Sequence, residues 1–385
     1  MKVAAPREAP AAVPRVAAER PLRILFAIQG EGRGHMTQAL AVAGWLRARG
    51  HEVVAALVGE SDRREVPDFV RAGLDVPILP VPSPNFVANE RGVVGPWRSL
   101  WVHGRRWLSR YEPAVELIDG HVRDLQPDVV VNFFEAMTGY WALRRRPAVP
   151  IVAVAHQFMF LHPGYRFAPW WPVQEAALRV YTWALGARAD TRLALSLYPA
   201  DSAPAKRLRV VPPILRPEAH TLAGVAPPPG AALLAYLMEP GLADGLRRWS
   251  ESHPGEKVHC YWDGPAGSHG RGLEFRPLDG AGFLSRMAES RGVVTTAGFE
   301  AVAEAMLLGR PVLMVPVPGH YEQHCNALDA ERAGAGVAAR TFDLDRLLAI
   351  LPDYVPPSGF RAWVAGAEEA VVASIEETAC VRRRT

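Results

Sequence analysis

The chain has 385 residues, 49% of them hydrophobic, and a formal net charge of +3. That is enough apolar matter for two buried cores, and too little charge to point to a nucleic-acid partner. Three cysteines, Cys260, Cys325 and Cys380, show no CxxC or Cys/His spacing, which argues against a disulfide framework or structural zinc and suits a reducing, cytoplasmic setting.

Residues 1–20 are rich in Ala and Pro, lack the apolar centre of a signal peptide and read as a disordered tail. Residues 22–28 (LRILFAI) form a short apolar run before a Gly-rich turn, as in a buried parallel strand. A helix pattern follows over 35–49, stopped by Gly50, and then a second strand over 51–58. This is a βαβ unit. Further strands are expected at 127–132 and 150–155. The proline-rich stretch 206–230 reads as a linker. Strand signals restart at 232–237, 257–261, 292–295 and 311–316, with a helix over 299–308, and an apolar stripe over about 360–376 marks a final docking helix. No run of about 18 apolar residues is present, so no membrane span is expected.

Three segments carry chemistry. Gln29-Gly30-Glu31-Gly32-Arg33-Gly34-His35 joins strand one to helix one. Its glycines allow a tight turn and close approach to a ligand, and the helix start offers free N–H groups. His35 stands where the dinucleotide fingerprint needs its last glycine, and the second strand does not end in an acidic residue, so a nicotinamide cofactor is disfavoured. His35 could serve as a general base, since an unperturbed imidazole titrates close to neutral pH; a helix-start histidine without chemistry would give the same sequence. In the second segment, Thr295-Thr296-Ala297-Gly298-Phe299, a strand ends in a turn that can cradle a phosphate, and Glu304 lies near enough to reach a ribose. The third, Pro316 to Ala327, offers Glu322 and Gln323 to sugar hydroxyls past the end of a strand. His320, His324 and Cys325 are close in sequence, but no further ligand set accompanies them and no metal is expected.

These segments resemble GT-B glycosyltransferases, in the group that includes UDP-glycosyltransferases and the bacterial enzyme adding GlcNAc to the lipid-linked cell-wall precursor. GEGRGHMTQALAVAGWL is similar to their N-terminal loop and first helix, TTAGFEAVAEAMLLGRPVLMVPVPGHYEQHCNALDAERAGAGV to their donor signature, and VVPPILRP to their interdomain segment. The resemblance implies an α/β fold of two Rossmann-like, doubly wound parallel-sheet domains facing a cleft. Residues 21–205 would bind the acceptor and 231–359 the nucleotide-sugar, and the helix of 360–385 would cross back to the first domain. It implies that Thr296, Ala297, Gly298 and Phe299 line the diphosphate, Glu304 binds ribose, and Glu322 and Gln323 meet the sugar. Gly30, Gly32 and Gly34 would form a loop facing phosphate or acceptor, and His35 would activate the acceptor; Arg33, inserted among these glycines, departs from the family pattern and could contact phosphate or acceptor. Some relatives orient that base with an acid, and Glu135, at the end of Asn132-Phe133-Phe134-Glu135, is the candidate here.

The implied reaction is an inverting, metal-independent transfer of a hexose from a nucleotide-sugar, a UDP-sugar by preference, with no cofactor. The acceptor would be a hydroxyl on a small molecule, glycan or lipid. Residues 96–112 (PWRSLWVHGRRWLSRYE) and 158–171 (FMFLHPGYRFAPWW) are aromatic and basic. They suit either a membrane interface, with the protein peripheral on the inner face, or a core and acceptor pocket. Base recognition is expected around 275–278. A UDP-sugar epimerase and an inactive sugar-nucleotide-binding protein remain as alternatives.

Overall fold

The computed structural model describes residues 20–30, 32–60, 66–84, 111–169, 171–237, 243–262, 264–277 and 280–381. The tail of residues 1–19, residues 96–110 of the Trp- and Arg-rich stretch, and Leu278 lie outside them.

Among the described residues the first domain is built on seven strands: β1 (Arg23–Ile28), β2 (Glu52–Glu60), β3 (Ile78–Pro82), β4 (Val129–Phe133), β5 (Ile151–Ala155), β6 (Thr191–Leu195) and β7 (Leu208–Val211). Their order is β3-β2-β1-β4-β5-β6-β7 and every pair is parallel. The central strands are continuous apolar runs because helices cover both faces; all five residues of β4 (VVVNF) are buried. The helices are α1 (Arg33–Ala48), α2 (Asp68–Leu74), α3 (Glu112–Leu125), α4 (Ala136–Arg145) and α5 (Pro172–Gly186).

The second sheet comprises β8 (Leu233–Leu237), β9 (Val258–Trp262), β10 (Gly267–His269), β11 (Leu273–Pro277), β12 (Val293–Thr295), β13 (Val312–Met314) and β14 (Gly336–Ala338). Its order is β10-β11-β9-β8-β12-β13-β14, parallel except at the β10–β11 pair. With it go α6 (Pro217–Leu222), α7 (Ala243–Ser252), α8 (Gly280–Glu289), α9 (Phe299–Leu307), α10 (Tyr321–Arg332), α11 (Asp345–Ile350) and α12 (Phe360–Ala365), and the last helix in the chain is α13 (Ala367–Val381). Strand order reverses between β1 and β4 in one sheet and between β8 and β12 in the other. Open α/β sheets bind ligands at such switch points, beyond the strands' carboxyl ends.

Two segments depart from expectation. The stretch 206–230 is not a plain linker: it supplies β7, the edge strand of the first sheet, and α6. Prolines bracket the four-residue strand LRVV without entering it, so they mask a strand rather than exclude one. The final apolar stripe is two helices separated at Gly366. The second, α13, lies on the first domain, where Val371, Val372 and Ile375 are fully buried with Ile24, Phe26 and Leu46. Polar ties add register: His51 to Glu376 at 2.9 Å, Arg49 to Glu369 at 2.6 Å and Thr191 to Thr378 at 2.8 Å. No helix of the described residues is long and apolar enough to cross a membrane.

Candidate active site

The first half of the site lies beyond β1 and β4. A Cβ on Gly30 would come within 1.7 Å of the Gly59 carbonyl oxygen, so the close approach of the β1 and β2 ends requires glycine here. Gly32 caps α1 without a side-chain hydrogen bond, which leaves backbone N–H groups at the helix start for other partners. Arg33 opens α1 and is exposed. His35 is buried, 7% exposed, and stacks on Phe134 at 5.9 Å between ring centroids. Phe134 itself has φ +57°, a left-handed conformation costing about 1–2 kcal/mol for a residue with a Cβ. Its ring is held edge-on by Phe158 and Tyr181. Burial, with His156 nearby, lowers the His35 pKa to about 4 against the opposing pull of Glu322 and Gln38. The imidazole is therefore neutral at neutral pH.

The second half lies beyond β12. Thr295 and Thr296 are buried, and Ala297 has φ +62°. The Ala297 carbonyl accepts from Asn326 at 3.4 Å. Gly298 caps α9 with no side-chain bond, and a Cβ there would meet nothing within 4 Å. The helix start thus opens onto free space, an arrangement suited to an anion. Further along α9, Glu304 is 4% exposed and both its oxygens accept from Arg216, at 2.6 and 2.8 Å.

The halves meet at Glu300, on the first turn of α9. It accepts a hydrogen bond from Gln38 of α1, and its Cγ lies 2.7 Å from where a Cβ on Gly34 would be. Gly34 therefore admits Glu300 rather than a ligand. His156, just past the end of β5, stacks on Phe299, the residue before Glu300, at 4.7 Å and meets Glu322 at 3.2 Å. Gln157 donates to the same Glu322 oxygen at 3.1 Å. Burial would raise the Glu322 pKa, but the bond to His156 and the charges of His156, His320 and His35 outweigh it and hold it at about 2. Gln323 spends its side-chain oxygen on the Val317 N–H, at 2.8 Å. Among the described residues no three His, Cys, Asp or Glu side chains are grouped to hold a metal ion.

Glu135 does not orient His35. Its Oε1 accepts from Ser83 at 2.6 Å and from the Met137 N–H at 2.9 Å, and its Oε2 accepts from the Thr138 N–H at 2.5 Å. It is the N-cap of α4, where unpaired N–H groups and the helix dipole favour a carboxylate. Among the described residues of 158–171 the aromatic side chains pack into the protein. Phe158 and Phe160 are fully buried, and Trp171 stacks on Tyr321 across the domains at 5.8 Å. Phe275 packs on Trp262 at 4.7 Å. Sequence reasoning missed His156, Arg216 and Glu300. Glu300 sat within the donor motif, one residue past Phe299, and Arg216 within the interdomain segment VVPPILRP; His156 lay in neither.

Glu300 gives a pH prediction. Burial raises its pKa to about 8; the Gln38 bond, Glu304 and Arg216 act as smaller influences of mixed sign. A group held above its unfolded value contributes stability that is complete at acid pH and is lost as pH rises to about 8. Glu300→Gln keeps the shape and stays neutral. In thermal melts its advantage over the wild type is expected to widen between pH 5 and 8.5 by on the order of 5 °C. A constant gap would show that the carboxyl is not held protonated.

The sequence model of glycosyl transferase family 1 matches residues 22–354. A curated relative is the UDP-N-acetylglucosamine–N-acetylmuramyl-(pentapeptide) pyrophosphoryl-undecaprenol N-acetylglucosamine transferase of Mycolicibacterium paratuberculosis, 27% identical over 372 residues, covering 88% of this chain and 82% of that one. Among solved structures, Phytolacca americana UGT2, complexed with UDP-2fluoro-glucose and pterostilbene, matches with a TM-score of 0.59 at 15% identity, covering 94% of this chain and 98% of that one. Acinetobacter baumannii MurG matches with a TM-score of 0.52 at 16% identity, covering 92% and 99%. At these identities the structural matches speak for the fold, which is GT-B. Because the family match takes in both sheets, the chain belongs to glycosyl transferase family 1 and is a glycosyltransferase.

Proposed function

We propose that the protein transfers a hexose from a UDP-sugar to an acceptor hydroxyl with inversion at the anomeric carbon and without a metal. The observation that carries this reading is the meeting of two switch points. Through Glu300, the open helix start at Gly298 is brought against the turn that holds His35. One side can receive a leaving anion, and the other presents a neutral imidazole.

In this reading the backbone of Thr296, Ala297, Gly298 and Phe299 and the dipole of α9 take up charge as the sugar–diphosphate bond breaks. They do so as fixed dipoles needing no reorganisation. Glu304 accepts from the ribose. Glu322, ionised and gripped by His156 and Gln157, accepts from sugar hydroxyls, with Gln323 beside it. Neutral His35 removes the acceptor proton as its oxygen attacks from the face opposite the diphosphate. A diphosphate nearby would also raise the His35 pKa, making it a stronger base when the donor is bound. The acceptor enters from the first domain. The relative's printed name gives a UDP-sugar donor and a lipid-linked acceptor, which makes a lipid-carried hydroxyl one class to try, at a membrane surface.

Calorimetry with UDP tests the donor assignment. UDP is expected to bind the wild type, and Glu304→Gln to weaken it by about 10- to 100-fold, the loss of hydrogen bonds to a charged acceptor. If neither UDP nor another nucleoside diphosphate binds, the donor site has been misassigned. UDP released only with an acceptor present marks the transferase. Conversion of the sugar without one would mark an epimerase, and tight binding with no turnover across many acceptors would mark a sensor.

A further inference from the structure

The carboxylate of Glu135 is taken up by the start of α4, so another group must orient His35. Gln38 is placed to do it. It stands three residues after His35 on α1, a spacing that puts both side chains on one face of the helix. It is buried, and its side chain meets the imidazole. His35 Nδ1 and Gln38 Oε1 are each buried without a formed hydrogen bond among the described residues. Buried polar atoms are nearly always paired, and each of these supplies what the other lacks, an N–H for a carbonyl. In a free enzyme such bonds are often open and tighten once substrate is held.

The amide has a direction. Its nitrogen donates to the Glu300 carboxyl of the second domain, which comes in over Gly34. With the nitrogen engaged there, the oxygen is the end left for His35. A carbonyl oxygen only accepts, so the ring must carry its hydrogen on Nδ1 and keep its lone pair on Nε2. That is the nitrogen a base needs free, because burial shuts Nδ1 off from any incoming acceptor. A neutral imidazole left to itself prefers the opposite form, with the hydrogen on Nε2 and no lone pair to offer there. An amide in this place does the work of the third member of a catalytic triad, with one difference: it adds no charge. A carboxylate would raise the imidazole pKa, whereas beside an amide burial holds it at about 4.

We propose that Gln38 is the positioning residue for His35: held by Glu300 of the second domain, its amide oxygen takes the Nδ1 hydrogen and keeps Nε2 free to remove the acceptor proton. The base is thereby set only while the two domains touch at Glu300. This rests on the reading of His35 as the base.

The test is the tautomer of His35, read at neutral pH from long-range proton–nitrogen correlation spectra of protein carrying labelled histidine. The His35 signals are assigned by their absence in His35→Gln. The wild type is expected to show the Nδ1–H form. Gln38→Met, of similar volume, is expected to move to the Nε2–H form, and Glu300→Leu, which frees the amide to turn, to a mixture. In the UDP-release assay Gln38→Met is expected to lose about 10- to 100-fold in kcat, the cost of a displaced catalytic group, with UDP affinity unchanged. Gln38→Glu combined with Glu300→Gln exchanges the two groups, restores both bonds and is expected to recover most of the lost rate. A wild type in the Nε2–H form overturns the proposal, whatever the variants do. So does a Gln38→Met protein that keeps the Nδ1–H form or the wild-type kcat, or that loses UDP affinity as much as kcat. A Glu300→Leu spectrum identical to that of the wild type overturns the part given to Glu300. The spectrum involves no donor, so it fails or holds separately from the base assignment, which His35→Gln tests by rate. Should Gln38→Met not fold, the wild-type spectrum decides alone.

Discussion

Replacing His35 with Gln is expected to lower kcat by about 10²- to 10⁴-fold, the usual worth of a positioned general base, while UDP affinity stays within a few-fold. Three features set this expectation. The ring is buried and stacked on Phe134, so its direction is fixed. Its Nδ1 has no hydrogen-bond partner among the described residues, and its pKa of about 4 keeps it unprotonated across the neutral range. It stands on the turn that faces α9, not among the groups proposed to hold nucleotide. The pH profile supplies a second readout. Protonation of His35 abolishes the base, so the acid limb of kcat/KM for the free enzyme is expected near pH 4, with a flat rate above about pH 5. A variant that keeps a tenth or more of wild-type kcat, or a wild-type limb near pH 6.5, would assign the proton to another group. His156, which meets Glu322, would be the next to try.

The second large effect is structural. Removing α13, by ending the chain at Gly366, is expected to abolish cooperative folding of the first domain. Val371, Val372 and Ile375 are each fully buried against its sheet and α1. At about 1.5–3 kcal/mol for each buried side chain, the three together rival the whole stability of a typical domain, about 5–15 kcal/mol. The ties from Glu369 and Glu376 to Arg49 and His51 would go as well. Circular dichroism melts would show one transition lost or broadened, with dye-binding apolar surface in its place. Ile375→Ala, at about 2–5 kcal/mol, should instead leave the fold intact and lower its melting temperature. A truncated protein melting like the wild type would mean that the helix merely rests on the domain.

Much of this molecule could be read directly from the chain because it rests on local pattern. The strands are unbroken apolar runs, and the Gly30–His35 turn and Thr295–Phe299 turn lie at the strand ends, where the topology places a ligand. What stayed hidden depends on distance along the chain. Arg216 and Glu304 are 88 positions apart, and Gln38 and Glu300 are 262 apart. No periodicity records such a meeting; only the docking of one domain on the other creates it. Glu135 is a different case. It directly precedes the helix AMTGYWALRR, the place of an N-cap, and an N-cap carboxylate and a catalytic one are the same residue type in a sequence. Gly34 teaches the same lesson: room beside a glycine is filled by whatever the fold brings there, here Glu300.

The placement of α13 also orders events during synthesis. The first domain is started by β1 and finished by a helix more than 340 residues later, since the elements concerned are Arg23–Ile28 and Ala367–Val381. As the chain leaves the ribosome, the groove over β4 and α1 stays bare while the whole second domain emerges and closes its own sheet. The later domain can therefore settle before the earlier one is complete. In that interval the nascent chain carries an apolar trough open to chaperones and to other chains, as incompletely folded multidomain proteins do.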